Sequence, residues 1–187
     1  MALLTLYFDY PSAASVVAVL RLQRLADDGL PVVFEGFDTL GLDTSLPVTL
    51  DQYEDLERNG ARAAELGMPL RRPSRRPPTI GAHLVGALAT ETGLGASWRT
   101  TCLRAYWTED ADLSEAEVLS ALGERAGLDP DACRTALEDR RARLRLRQRM
   151  VALRGRGIGG VPVLEVAGGT LLSPDVPDAD LRALAGS

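Results

Sequence analysis

Residues 8–15 of the chain, FDYPSAAS, join two segments of different character. The apolar run that ends there, Leu3 to Phe8, is typical of a buried strand. The segment that follows, Ser12 to Asp28, predicts a helix, because Ser12 can serve as its N-cap and Gly29 can end it. Two serines three residues apart therefore mark the start of the first helix.

The rest of the chain divides into a long helical block and a short return to strands. Residues 31–37 (PVVFEGF) predict a second strand, and a helical crossover of this length makes the first two strands parallel. The segments from about residue 49 to 154 have helical patterns. Residues 161–166 predict a strand that turns at Gly168 and Gly169 into another over residues 170–172, before a closing helix.

The helical block carries signals for individual helices. Asp129 and Pro130 supply an N-cap and a proline at the first helical position. Ser114 to Glu117 has the pattern of a capping box. Residues 132–157 are amphipathic and rich in arginine, and they predict one long helix. Its charged face is either solvated, with Glu/Asp–Arg pairs four residues apart, or a surface for a partner or an anionic ligand.

The overall composition limits the classes of function. The 187 residues carry a formal net charge of -5, so we expect neither nucleic acid nor an anionic membrane as a partner. No segment approaches the roughly 20 apolar residues that span a bilayer. The first residues lack the pattern of a secretory signal, which predicts a cytoplasmic protein. With one histidine and two widely separated cysteines, no metal site is expected.

The last predicted strand adds a second marker, because residues 159–166 (GGVPVLEV) place Pro162 at its entry. Combined with FDYPSAAS, and with PPTIGAHLVGALATETG and LRAYWTEDADLSEAEVL in the helical block, it makes the sequence resemble the DsbA-like thioredoxin superfamily over nearly its whole length. The chain is similar to the FrnE-type proteins, kappa-class glutathione transferases and 2-hydroxychromene-2-carboxylate isomerases of that superfamily.

This resemblance implies an α/β fold, a thioredoxin-like mixed sheet with a large all-helical insertion. Residues 1–48 and 155–187 would form one discontinuous thioredoxin-like domain, and residues 49–154 the helical insertion. It also implies a cis proline at Pro162, with the backbone of Val161 turned toward an extended ligand.

The turn at the start of the first helix departs from the redox members of the superfamily, which carry Cys-x-x-Cys where this chain has Ser12 and Ser15. Dithiol exchange needs a thiolate nucleophile and a resolving thiol, so these residue types exclude it here. Kappa-class transferases and chromene isomerases instead use a serine at the position of Ser12 to hold the glutathione sulfur. A thiolate bound there would gain from the positive end of the helix and from a hydrogen bond to Ser12.

Other residues near this turn have two interpretations each. Tyr10 either covers a ligand or packs as a partly buried ring. His83 is either a satisfied packing residue or a polar group that lines the pocket. Ser15 fills the position of the second missing cysteine. The candidate ligand-binding residues are therefore Tyr10, Ser15, His83, Val161 and Pro162, and the candidate catalytic residue is Ser12.

These observations leave three hypotheses. In the first, a transferase-like or isomerase-like enzyme binds glutathione, another low-molecular-weight thiol or a thiol conjugate between Ser12 and Val161. In the second, a non-catalytic scaffold binds a peptide, protein or metabolite, and Ser12 only caps the helix. A third, redox chemistry between Cys102 and Cys133, requires Cα atoms within about 7 Å, and these cysteines are expected instead to be small buried hydrophobes. The resemblance also implies a homodimer.

Overall fold

A computed structural model describes residues 3–167 and 169–186. The elements, in chain order, are β1 (Leu4–Phe8), α1 (Ala13–Asp27), β2 (Val32–Gly36), α2 (Leu50–Glu65), α3 (Ile80–Glu91), α4 (Gly95–Glu109), α5 (Ala116–Arg125), α6 (Pro130–Glu138), α7 (Arg140–Gly155), β3 (Val163–Val166), β4 (Thr170–Leu172) and α8 (Asp178–Gly186).

The strands form one mixed sheet in the order β2-β1-β3-β4. β1 is parallel to β2, with Leu4 opposite Val32, and antiparallel to β3, with Leu6 opposite Leu164. β4 returns antiparallel to β3. This topology, with helices α2 to α7 between β2 and β3, confirms the predicted thioredoxin-like sheet interrupted by helices. The predicted hairpin turn includes Gly168, which lies outside the described residues.

Both faces of the sheet are covered, as the alternation along β1 requires. Leu6 and Phe8 are buried in the larger core with α1 and α4. Tyr7 points to the other face, where it packs with Met150 and Leu153 of α7. The start of α1 is therefore fixed between the sheet and the helical block, while α7 closes the opposite face.

The arginine-rich segment is two helices, so the prediction of one long helix over residues 132–157 is wrong. Asp139 leaves the helical conformation, with φ -68° and ψ 93°. Its carboxylate accepts hydrogen bonds from the backbone N–H groups of Arg141 at 2.8 Å and Ala142 at 2.9 Å. An aspartate that caps a new helix in this way ends the previous one.

A second correction concerns the predicted capping box at Ser114. Helix α5 begins after Glu115, whose side chain forms no capping bond. The hydroxyl of Ser114 donates instead to Asp112 at 2.6 Å. The N-cap predicted at Asp129 is confirmed, since its carboxylate accepts from the N–H of Asp131.

Within residues 3–167 and 169–186, no helix combines the length and the apolar character needed to cross a membrane. The division into a domain of residues 1–48 and 155–187 and an insertion of residues 49–154 stays a prediction.

Gly36, at the end of β2, provides a test of this packing. A Cβ added there would lie 2.1 Å from Nδ1 of the buried His83, closer than any van der Waals contact allows. We expect Gly36→Ala to lower the free energy of unfolding by about 1–3 kcal/mol, measured by urea denaturation. Gly60→Ala is the matched control, because the nearest atom to its added Cβ, on Leu56, is 3.9 Å away. In the middle of α2 that substitution should stabilise by roughly 0.5–1 kcal/mol, and equal effects at both positions would contradict the proposed close approach.

Candidate functional site

Ser12 lies at the junction that the sequence singled out and is the N-cap of α1. Its backbone is extended, with φ -98° and ψ 120°, and its Oγ accepts a hydrogen bond from the N–H of Ser15 at 3.1 Å. The predicted capping role of Ser12 is therefore confirmed. Its hydroxyl also donates to Oδ2 of Asp55 at 3.3 Å.

Asp55, from helix α2, lies directly on the N-terminus of α1. Its Oδ2 accepts from the N–H of Ala13 at 2.7 Å, and its Oδ1 accepts from the N–H of Ala14 at 3.2 Å. Asn59, one turn further along α2, donates to Oδ1 at 2.9 Å. The carboxylate is thus held from both sides and pairs with the first free donors of α1.

This contact changes the electrostatics expected of the turn. The N-terminus of a helix carries unpaired N–H groups and a partial positive charge that favour an anion. Here the anion is a side chain of the protein itself. A thiolate brought by a ligand would have to displace Asp55 or lie beside a second negative charge. Sequence analysis missed Asp55, because nothing in the pattern of α2 distinguishes it from the other acidic residues of that helix.

A cleft of about 320 Å³ opens beside Ser12, and we call it the Ser12 cleft. Val161 lines it from the other side, where the Val161–Pro162 peptide bond is cis. Among the described residues, the backbone N–H and C=O of Val161 have no hydrogen-bond partner within the protein. The structure therefore brings Ser12 and Val161 to one cleft, where the backbone groups of Val161 are free to pair with a ligand.

The charged residues of the Ser12 cleft are Asp51, Asp55 and Arg76. The half-buried Arg76 donates from Nη2 to the hydroxyl of Thr39 at 2.8 Å. Within the described parts of the chain it forms no ion pair. Its guanidinium therefore retains donors for a carboxylate.

Behind the cleft lies a buried carboxylate, Asp9, which is 1% exposed. Its oxygens accept from the N–H of Tyr10 at 2.9 Å, from the N–H and hydroxyl of Thr39 at 2.8 and 2.7 Å, and from the hydroxyl of Thr79 at 2.6 Å. His83 Nε2 is 3.1 Å from Oδ1. Since an ionised carboxylate only accepts, this nitrogen donates. Burial raises the pKa of Asp9, but the hydrogen bonds from His83, Thr39 and Thr79 outweigh burial and hold the pKa below its ordinary value.

The other predicted ligand-binding residues do not reach the Ser12 cleft. Tyr10 and His83 stack on each other, with ring centroids 4.9 Å apart, and line a different cavity at the edge of the sheet. Ser15 is fully buried and its Oγ accepts from the N–H of Asp9 at 3.3 Å. Pro162 follows Val161 at the entrance to β3.

The two cysteines are free and buried. Burial raises the pKa of the Cys102 thiol well above its ordinary value and also raises that of Cys133. Redox pairing of Cys102 and Cys133 is therefore not supported, and the prediction that both are buried small hydrophobes is confirmed. No group of three or more metal-ligating side chains is found in residues 3–167 and 169–186.

Comparison with known proteins identifies relatives of the whole chain. The family described as DSBA-like thioredoxin domain matches residues 3–184. A probable DsbA oxidoreductase from Streptomyces coelicolor is similar in structure, with a TM-score of 0.83, 21% identity, and coverage of 100% of this chain and 91% of that chain. A 2-hydroxychromene-2-carboxylate isomerase follows, with a TM-score of 0.77, 23% identity, and coverage of 98% and 94%.

The cytosolic disulfide reductase DsbM from Pseudomonas aeruginosa has a TM-score of 0.72 and 22% identity, with coverage of 98% of this chain and 96% of that one. No curated protein matches the sequence. At these identities the likeness concerns the fold.

The contact between Asp55 and α1 should contribute measurably to stability. Asp55→Ala leaves the N–H groups of Ala13 and Ala14 without their acceptor, and we expect it to lower the free energy of unfolding by about 1–2 kcal/mol. Glu54→Ala is the matched control, since Glu54 makes only an exposed pair with Arg58 and should change stability by less than about 0.5 kcal/mol. Equal losses of stability in the two variants would contradict the assignment of Asp55 as an acceptor for the first N–H groups of α1.

The buried Asp9 predicts a pH dependence of stability. Because its pKa is lowered in the folded state, its contribution is complete above the unfolded pKa of about 3.9 and is lost as the pH falls through the lower folded value. Asp9→Asn should cost roughly 2–4 kcal/mol near pH 7. When the free energy of unfolding is measured by urea denaturation from pH 7 to 3, the difference between Asp9→Asn and the wild type should become smaller only below about pH 4. Asp175→Asn, at an exposed position, serves as control, and a gap independent of pH would refute the role of the Asp9 charge.

Proposed function

The chain belongs to the family of DSBA-like thioredoxin domains, and on that premise we propose that it is a non-redox member that binds a peptide or peptide-like metabolite in the Ser12 cleft without activating a thiol. This is the scaffold hypothesis of the sequence analysis, with the site defined as the space between Ser12 and Val161.

One observation carries the proposal. The carboxylate of Asp55 occupies the N-terminus of α1, where its Oδ2 accepts a hydrogen bond from the N–H of Ala13 at 2.7 Å. A site that activates a bound thiol needs those donors and that positive end for the sulfur. Here both are already used by the protein, and the Ser12 hydroxyl donates to the same carboxylate. The second serine, Ser15, is buried and directed at Asp9.

The chemistry of the Ser12 cleft favours a zwitterionic, extended ligand. The free backbone groups of Val161 can pair with a peptide unit in the manner of an added strand. Arg76 can bind a carboxylate, and the exposed Asp51 can receive an ammonium group. A short peptide or a peptide conjugate supplies all three partners.

The test is calorimetric titration with glutathione and with S-methylglutathione, two tripeptide probes that differ only at sulfur. We expect wild-type protein to bind both with affinities within about twofold, because no thiolate is stabilised. Asp55→Asn should shift the preference toward glutathione, since the N-terminus of α1 then lacks its internal anion. Preference of the wild type for glutathione by tenfold or more, abolished in Ser12→Ala, would instead establish the thiol-binding transferase-like or isomerase-like hypothesis.

Substitution of two neighbouring arginines, Arg76 and Arg75, tests whether the ligand binds in the Ser12 cleft. Arg76→Gln should weaken binding of either tripeptide about tenfold or more, because a charge-assisted hydrogen bond to the ligand is lost. Arg75→Gln should leave it unchanged, because Arg75 points away to Asp112 at 2.9 Å. Equal effects of the two substitutions, or no saturable binding of either probe, would contradict the proposed cleft.

A further inference from the structure

A second cavity, distinct from the Ser12 cleft, lies beside the edge strand β2. It has a volume of about 260 Å³ and is formed by β2 together with residues of α3, α4 and α7, and we call it the edge cavity. No residue of the Ser12 cleft lines it. Its size is just below the range of about 300–1,000 Å³ common for small-molecule sites.

The inner wall of the edge cavity is apolar and aromatic. Phe8 and Tyr10 lie at its base with ring centroids 5.4 Å apart, and the ring of Phe34 forms part of the wall. Leu146 of α7 closes the far side. Ala87 of α3 is exposed at the rim. Walls of this kind, with a few polar groups, are typical of ligand pockets.

The polar group of interest is Arg99 of α4. Its guanidinium carbon lies 3.9 Å from the ring centroid of Phe34, and its Nε donates to Gln23 at 3.3 Å. Across residues 3–167 and 169–186, no carboxylate lies within ion-pair distance of Arg99, whereas Arg149, the other arginine of the cavity, is paired with Glu35. The outer nitrogens of Arg99 are therefore available to a ligand.

Burial also affects Arg99 electrostatically. It lowers the pKa of the guanidinium to about 10, although Tyr10 and Asp27 act in the opposite direction. The group therefore remains charged at neutral pH while lacking full hydration and, among the described residues, an ion-pair partner. A partly desolvated cation without a partner is unfavourable. An incoming carboxylate would relieve that cost and could form the bidentate pair that the guanidinium geometry favours.

Backbone groups of β2 add further polar partners. Leu4 N–H donates to Pro31 C=O, and Phe37 N–H donates to Phe8 C=O. In a parallel ladder with this alternation, the N–H and C=O groups of Phe34 and Gly36 point to the outer edge of the sheet.

We propose that the edge cavity is a second binding site, which takes a small monocarboxylate with an apolar body and binds the carboxylate through Arg99. The apolar body lies against Phe8, Tyr10 and Phe34. The site is independent of any ligand in the Ser12 cleft.

Calorimetric titration with 3-phenylpropionate and its uncharged analogue 3-phenylpropan-1-ol tests this site. The wild type should bind the acid saturably, at least tenfold more tightly than the alcohol. Arg99→Gln should remove that preference, with a loss of about tenfold to a hundredfold for the acid, the range expected for a charged hydrogen-bonded pair. Arg99→Lys keeps the positive charge but loses the bidentate geometry of the guanidinium, so it should retain part of the preference for the acid.

Two further variants separate this site from alternatives. Ala87→Trp fills the cavity from an exposed position on α3, leaves Arg99 in place, and should abolish binding of both compounds. Arg76→Gln, in the Ser12 cleft, should have no effect. The proposal would be overturned if the wild type showed no saturable binding or bound acid and alcohol equally. It would also be overturned if binding of the acid were unchanged in Arg99→Gln or in Ala87→Trp, or if Arg76→Gln lost as much affinity as Arg99→Gln. Thermal unfolding of each variant verifies that it is folded.

Discussion

The buried carboxylate of Asp9 is the interaction on which the site region depends. It lies one residue past β1 and accepts hydrogen bonds from Thr39, after β2, and from Thr79 and His83, at the start of α3. A buried charge is tolerated only when its lone pairs are satisfied, so these three segments are constrained to meet at one point. The sheet and the helical block are joined there.

The same network separates the two cavities. Thr39 lines the Ser12 cleft and also receives a hydrogen bond from Arg76, while His83 lines the edge cavity. Asp9 lies between them and has no surface in either. The two cavities therefore share a structural support without sharing a side chain that a ligand would touch, which is why each can be tested by its own arginine.

The charge distribution distinguishes this chain from the expectation based on its family resemblance. The start of a helix is a ready site for an anion, and a resemblance to glutathione-binding proteins assigns that site to a sulfur. In this structure Asp55 fills it from another helix. Among the described residues of this region, Arg76 and Arg99 are instead cations without an ion pair, and each lines a cavity.

The sequence by itself determined the elements that depend on local pattern. The β-α-β opening, Ser12 as a cap and the sheet interrupted by helices follow from apolar periodicity and capping residues, which act over a few positions. The break at Asp139 was missed because an aspartate within an amphipathic pattern can either face solvent or cap a new helix. Only the tertiary structure decided that Asp55 covers the start of α1 and that His83 turns inward to Asp9. Those contacts join residues 42 and 74 positions apart. Local propensities act over a few positions, so they do not determine which distant donor a buried carboxylate will contact.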